Sequence, residues 1–187
     1  MERLKSLHDA AIAPLERLEG LLPLLARLVF AGVLLVYYWH SGLTKLGDGL
    51  PGLVQPSSGA YAQIFPRAME AASYDVSQLS ALHWAVTLAG TWAEFLLPAL
   101  IVLGLLTRLA ALGMIGFVLL QSLTDLYGHG GIDHAETLGA WFDRMPDGAI
   151  LDQRALWVFV LLVLVIRGGG WLSLDRMLAP RLFRNPA

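Results

Sequence analysis

From Trp84 to Gly104 the sequence runs through apolar residues with a single ionisable side chain, that of Glu94. A run of this length crosses about 30 Å of hydrocarbon as a helix, and few other structures can accommodate it. A second such run, Leu109 to about Tyr127, follows after the short turn Leu105-Leu106-Thr107-Arg108, so the two read as a pair of antiparallel membrane helices. Glu94 lies eleven positions after His83, which at ~1.5 Å per residue puts it ~16 Å along the helix and near the bilayer midplane. Four positions later Pro98 has no N–H to offer the Glu94 carbonyl, so one turn holds a free backbone acceptor and a carboxyl group. Such a group inside a membrane is expensive and marks either a proton relay, a polar ligand contact or a hydrogen bond to a neighbouring helix.

The rest of the chain agrees with a membrane protein. With 56% hydrophobic and 15% charged residues among 187, and a mean hydropathy of +0.60, it carries more apolar surface than one soluble domain of this size can bury. The net charge of −2 and scattered basic residues leave no footprint for nucleic acid. The chain has no cysteine, which excludes thiol–disulfide exchange and cysteine-ligated clusters carried by its own side chains. Any redox role therefore needs a bound cofactor, a metal or a partner.

The expected fold is all-α, a bundle of four transmembrane helices preceded by an amphipathic helix on the membrane surface. Residues 1–20 place Leu4, Leu7, Ala11, Leu15 and Leu18 at helical spacing with charges elsewhere. One membrane domain, 21–176, has spans at about 21–40, 82–104, 108–127 and 149–167, and a tail occupies 177–187. The first span ends in Tyr37-Tyr38-Trp39, an aromatic anchor. Residues 41–81 form a polar loop with a short helix near 60–72. Gly113 and Gly116 permit close helix approach in the third span. The fourth has a pure apolar run of only twelve residues from Ala155, so its outer turn includes Asp152, Gln153 and Arg154. Arg27 and Arg108 read as snorkelling anchors, and Lys45 as a solvated charge facing Asp48 or an anionic ligand.

Nine Lys and Arg residues fall on the side of the termini and four on the side of the two long loops. The positive-inside rule then makes both termini cytoplasmic and the long loops periplasmic or otherwise extracytoplasmic. The aromatic residues Tyr37, Tyr38, Trp39, Trp84, Tyr127 and Trp157 would form one belt on the outer side. His40, His83 and His129 sit at the outer ends of different helices, with His134 five residues beyond His129. Asp125, four residues before His129, lies on the same helical face and would orient that imidazole. Imidazole and carboxylate without thiolate suit copper, iron or zinc; a haem fits less well, since no histidine lies deep within two facing spans.

The pattern resembles the DoxX family of small membrane proteins. The residues carrying the resemblance are Trp39-His40-Ser41-Gly42-Leu43-Thr44-Lys45, Glu94 followed by Gly104-Leu105-Leu106-Thr107-Arg108, and Gly168-Gly169-Gly170-Trp171-Leu172-Ser173-Leu174-Asp175. The resemblance implies a four-helix bundle in the bacterial inner membrane. It also implies links to quinone-coupled sulfur oxidation, to membrane oxidoreductase complexes and, for some members, to operons making metal-binding peptides. Glu94, Lys45 and Arg108 fall where the family pattern has polar residues. The loop from Gly128 to Asp147 is longer and richer in His and Asp than that pattern, which favours a metal or a periplasmic partner.

Two readings result. In the first, a redox-associated protein binds a quinone or a metal ion in an outer-facing pocket and works within a membrane complex, such as a quinone-linked oxidoreductase. Glu94 would be its catalytic proton carrier, with His40, Lys45, His83 and Arg108 binding the cofactor and His129, His134 and Asp125 holding a metal. In the second, the chain is a non-enzymatic scaffold or a carrier for a small solute or metal. Its partners in either case are the lipid bilayer and a membrane or periplasmic protein, with a homo-oligomer open and no nucleic acid.

Overall fold

The computed structural model describes residues 1, 5, 12, 13 and 18–182; the surface helix expected over 1–20 lies outside the described residues, apart from its final turn. Among them there is no strand, and four helices are long and apolar enough to cross a membrane: Leu18–Lys45, Ala81–Leu103, Thr107–Gly128 and Ala149–Arg167. The first runs five residues past the expected end at His40, because Ser41 to Lys45 continue its last turns with the Lys45 side chain turned inward. The spans pack in a ring: the first touches the second and fourth, and the third touches the same two.

The core is a narrow stripe from each helix. Phe30, Leu34 and Tyr38 meet Ile101, Met114, Val118, Leu161 and Leu164, all almost fully buried. Large apolar residues on the opposite faces, such as Leu28, Leu43, Leu96, Leu109, Leu119 and Phe159, are exposed. That surface belongs in lipid, where it costs nothing, and would aggregate in water.

Three spans carry a wide π-helical turn, at Ala31–Leu35, Thr124–Gly128 and Ala149–Arg154. In the first span Phe30, Leu34, Tyr38 and Gly42 repeat every four residues. A regular 3.6-residue helix would rotate them off one face; the wider turn holds them there. Tyr38 therefore points into the bundle and packs edge-on to Phe117 and Trp157, ring centres 5.8 and 6.4 Å away. It belongs to the core and not to a surface belt. Trp84 and Trp92 donate to the carbonyls of Val54 and Leu53, at 2.8 and 3.0 Å, and tie the first loop to the second span.

At the end bearing the termini, Arg27 is buried and is no snorkelling anchor. Its guanidinium donates to the carbonyls of Ile101, Val102, Gly169 and Leu172. It thereby joins the exposed acceptors at the end of the second span to the glycine-rich turn after the fourth. The helix Leu174–Leu182 follows, and Asp175 at its start caps the third span from across the molecule: Leu106 and Thr107 donate their amides and Thr107 its hydroxyl to the Asp175 carboxylate. In return the Asp175 amide donates to the Gly104 carbonyl at 2.8 Å.

Candidate functional site

Ser41 and Lys45 are four residues apart, so one face of the first span carries both. The neighbouring Gly42 lets the second span come close: a Cβ there would lie 2.7 Å from the Phe95 ring. Across that contact the Lys45 ammonium meets both oxygens of Glu94 at 3.0 Å, and Ser41 completes the cluster. The Ser41 hydroxyl donates to Glu94 Oε1 at 3.1 Å and accepts from Lys45 Nζ at 2.6 Å. Lys45 is 5% and Glu94 3% exposed. Two charges this far from water repay their desolvation only with close geometry and added hydrogen bonds, and Ser41 supplies those. Pro98 lies inside the second span, four residues after Glu94. One residue beyond the carbonyl it leaves without a helical donor, Trp39 Nε1 donates to Phe95 O at 3.2 Å.

The pair forms one wall of a cavity of about 730 Å³ between the second and third spans. Small residues make the space: Ala89, Gly90 and Ala93 on one helix, Gly113 and Gly116 on the other. Gly113 does bring the helices together, since a Cβ there would lie 3.2 Å from Leu97. Gly116 does not; no atom lies within 4 Å of the Cβ it lacks. The first loop roofs the cavity with Gln63, Ile64 and Phe65. This roof is two short helices, Ser58–Ile64 and Pro66–Ala71, broken at Phe65 because a residue before proline is disfavoured in helical conformation.

The loop-side end of the cavity is polar, with Gln121, Asp125 and His129. Arg154, buried in the outer turn of the fourth span, donates to Asp125, and also to Ser122 Oγ at 3.0 Å. Asp125 is thus engaged by a guanidinium instead of orienting His129. The His129 ring meets the Gln63 carbonyl through Nε2 at 3.0 Å, so that nitrogen carries the proton, and it fastens the roof. His83 supports the same roof from outside: its ring packs edge-on to Phe65 at 4.8 Å, while Nδ1 accepts from the Ser80 amide at the start of the second span.

The predicted site residues therefore separate. Glu94, Lys45, Asp125 and His129 line one cavity. His40 is exposed and outside it. His134 is exposed in the second loop, with Glu136 3.7 Å from its Nδ1. Arg108 lies at the opposite end of the bundle, beside Gly168. Among the described residues no three His, Asp or Glu side chains gather as a metal would require. Sequence reasoning missed Ser41, Gln63, Gln121 and Arg154. Only Ser41 had a signal, its spacing from Lys45.

Residues 22–124 match the model of a protein family described as DoxX. No curated protein and no solved structure matches the chain.

Proposed function

Since the chain belongs to the DoxX family of membrane proteins, we propose that it binds a lipid-soluble quinone in the cavity between the second and third spans and acts within a membrane redox complex. The observation behind this reading is the buried Lys45–Glu94–Ser41 cluster, a charged wall in a cavity otherwise lined near Glu94 by apolar residues such as Ala93, Leu97, Gly113 and Phe117. Ligand pockets have this make-up: mostly apolar lining, a few fixed polar groups and a volume within about 300–1,000 Å³.

The chemistry follows from the residues. Lys45 lines the cavity with its three N–H donors engaged by Glu94 and Ser41, and one of these turning to an entering ligand would suit a carbonyl or phenolate oxygen. Glu94, held between Lys45 and Ser41, is placed to accept or return a proton as that oxygen changes charge. Gln121 and His129 lie toward the other end of the cavity, where a second ring oxygen would be met, and Asp125 leads from there toward the loops. A quinone would supply the electron-carrying chemistry, which the side chains of this chain lack. The gap lined by Ala89, Gly90, Gly113 and Gly116 admits a flat ring and lets a hydrocarbon tail pass to lipid.

The test is saturable quenching of tryptophan fluorescence by a short-chain quinone, with purified protein in mild detergent. Glu94→Gln keeps the shape and removes the charge; it weakens binding about tenfold, the worth of one charge-assisted hydrogen bond. Gly116→Leu, at a position where an added Cβ meets nothing within 4 Å, fills part of the cavity and abolishes saturable quenching at unchanged thermal stability. His40→Ala, outside the cavity, changes nothing. Quenching that never saturates, or that is equal in the wild type and Gly116→Leu, overturns the reading and leaves a scaffold as the better account.

A further inference from the structure

A second cavity, of about 360 Å³, lies at the other end of the bundle between the turn joining the second and third spans and the glycine-rich turn after the fourth. Four arginines with described side chains surround this end, and two are committed. Arg27 is spent on four backbone carbonyls, and Arg167 pairs with Glu19 at 2.7 Å. Arg108 and Arg176 both line the cavity, both are exposed, and neither has a carboxylate within ion-pair distance among the described residues. The one acid in the cavity wall, Asp175, has its oxygens turned to the Leu106 and Thr107 amides and the Thr107 hydroxyl. The site therefore keeps a positive charge.

Its rim is apolar. Leu106 and Leu109 are 56% and 67% exposed, and both line the cavity. Leu109 begins the apolar face of the third span, so the two guanidinium groups stand where a membrane helix meets the surface. There a phosphate finds charge and an acyl chain finds leucine. Arginine suits this position because its planar fork of donors matches phosphate oxygens.

We propose that Arg108 and Arg176 form a binding site for the phosphate of an anionic lipid head group, distinct from the Lys45–Glu94 cavity and independent of what that cavity holds. Arg108 is then a lipid-binding residue, which accounts for a basic residue of the resembling turn that lies too far from Glu94 to share its ligand.

Native mass spectrometry of the purified protein tests this with phosphatidylglycerol and phosphatidylcholine, each alone and in competition, and with inorganic phosphate as competitor. The wild type retains phosphatidylglycerol over phosphatidylcholine by about tenfold or more, as one charge-assisted contact predicts. Arg108→Gln and Arg176→Gln each reduce that preference, and the double variant loses it. Arg67→Gln, an exposed cation on the loop side, leaves it unchanged. Should Arg108→Gln fail to fold, Arg176→Gln reads the site alone, since that side chain has no ion-pair partner among the described residues. Displacement by millimolar inorganic phosphate assigns the same chemistry to a soluble phosphate. Equal retention of the two lipids, or a preference that survives the double variant, overturns the proposal.

Discussion

At the scale of single residues the decisive feature is that Lys45 finds Glu94. A lysine after an apolar run reads as a solvated charge, and the pair becomes visible only when Gly42 lets the Phe95 ring approach and the spans close around both groups. Removing either partner leaves the other charge buried and unpaired, which costs about 3–5 kcal/mol, whereas apolar replacement of both is often neutral. Lys45→Met and Glu94→Leu should therefore each lower the thermal midpoint in detergent, and the double variant should recover most of the loss. A double variant as unstable as the sum of the singles would mean that the two groups are satisfied separately. Arg27 makes the same point without a carboxylate: four carbonyls at helix and turn ends hold a guanidinium inside the bundle. The sequence shows the arginine but not the acceptors, because every chain has carbonyls and only the tertiary fold brings these four together.

At the scale of elements, the turn after the second span and the helix after the fourth act as one clasp. Gly104 and Leu106 both take left-handed backbone conformations, φ 69° and 48°. A Cβ on Gly104 would press within 2.6 Å of Ser173 Cβ and 2.9 Å of Arg27 Cζ. Glycine is needed there for both reasons. Burial alone would raise the Asp175 carboxyl, but the Thr107 hydroxyl, the Thr107 and Leu106 amides and the Arg27 charge outweigh it and hold the group below the ordinary aspartate value of 3.8. A carboxyl depressed in the folded state stabilises it above the unfolded value, and that stability is lost as pH falls through the folded one. Thermal midpoints should thus fall on acidification below about pH 4, and Asp175→Asn, at a cost of about 1–2 kcal/mol at neutral pH as for lost helix caps, should flatten that part of the profile. An acid profile identical in the variant would refute the assignment. The motifs carrying the family resemblance were legible in the sequence at both halves of this clasp. Their interlock was not, because Leu106 and Asp175 are 69 residues apart and no local periodicity records which distant side chain satisfies a helix start. The π-helical turns were hidden for a related reason: a four-residue repeat such as Phe30, Leu34, Tyr38 also suits an ordinary helix over a short stretch.

At the scale of the whole molecule, the four spans were legible since apolar length and hydropathy decide them, and they are the fold. The candidate site was half legible: Glu94 stood out by its isolation, while Ser41, Gln121 and Arg154 are ordinary residues until neighbouring helices give them partners. Burial also sharpens the argument about sidedness. Of the four basic residues on the loop side, Lys45 and Arg154 are consumed inside the bundle by Glu94 and Asp125, so only Arg67 and Arg144 remain as surface cations there. The loop side therefore exposes less positive charge than the raw count, and on the positive-inside rule we propose that the end bearing the termini faces the cytoplasm. The absence of native cysteine makes this directly measurable. Ala140→Cys, in the exposed second loop, should react with a membrane-impermeant maleimide in intact cells whose outer barrier has been opened. Met177→Cys, 69% exposed at the opposite end, should react only after the membrane is permeabilised. The reverse pattern would invert the topology and place Asp125 and His129 at the cytoplasmic mouth of the cavity, so protons exchanged at Glu94 would come from inside the cell.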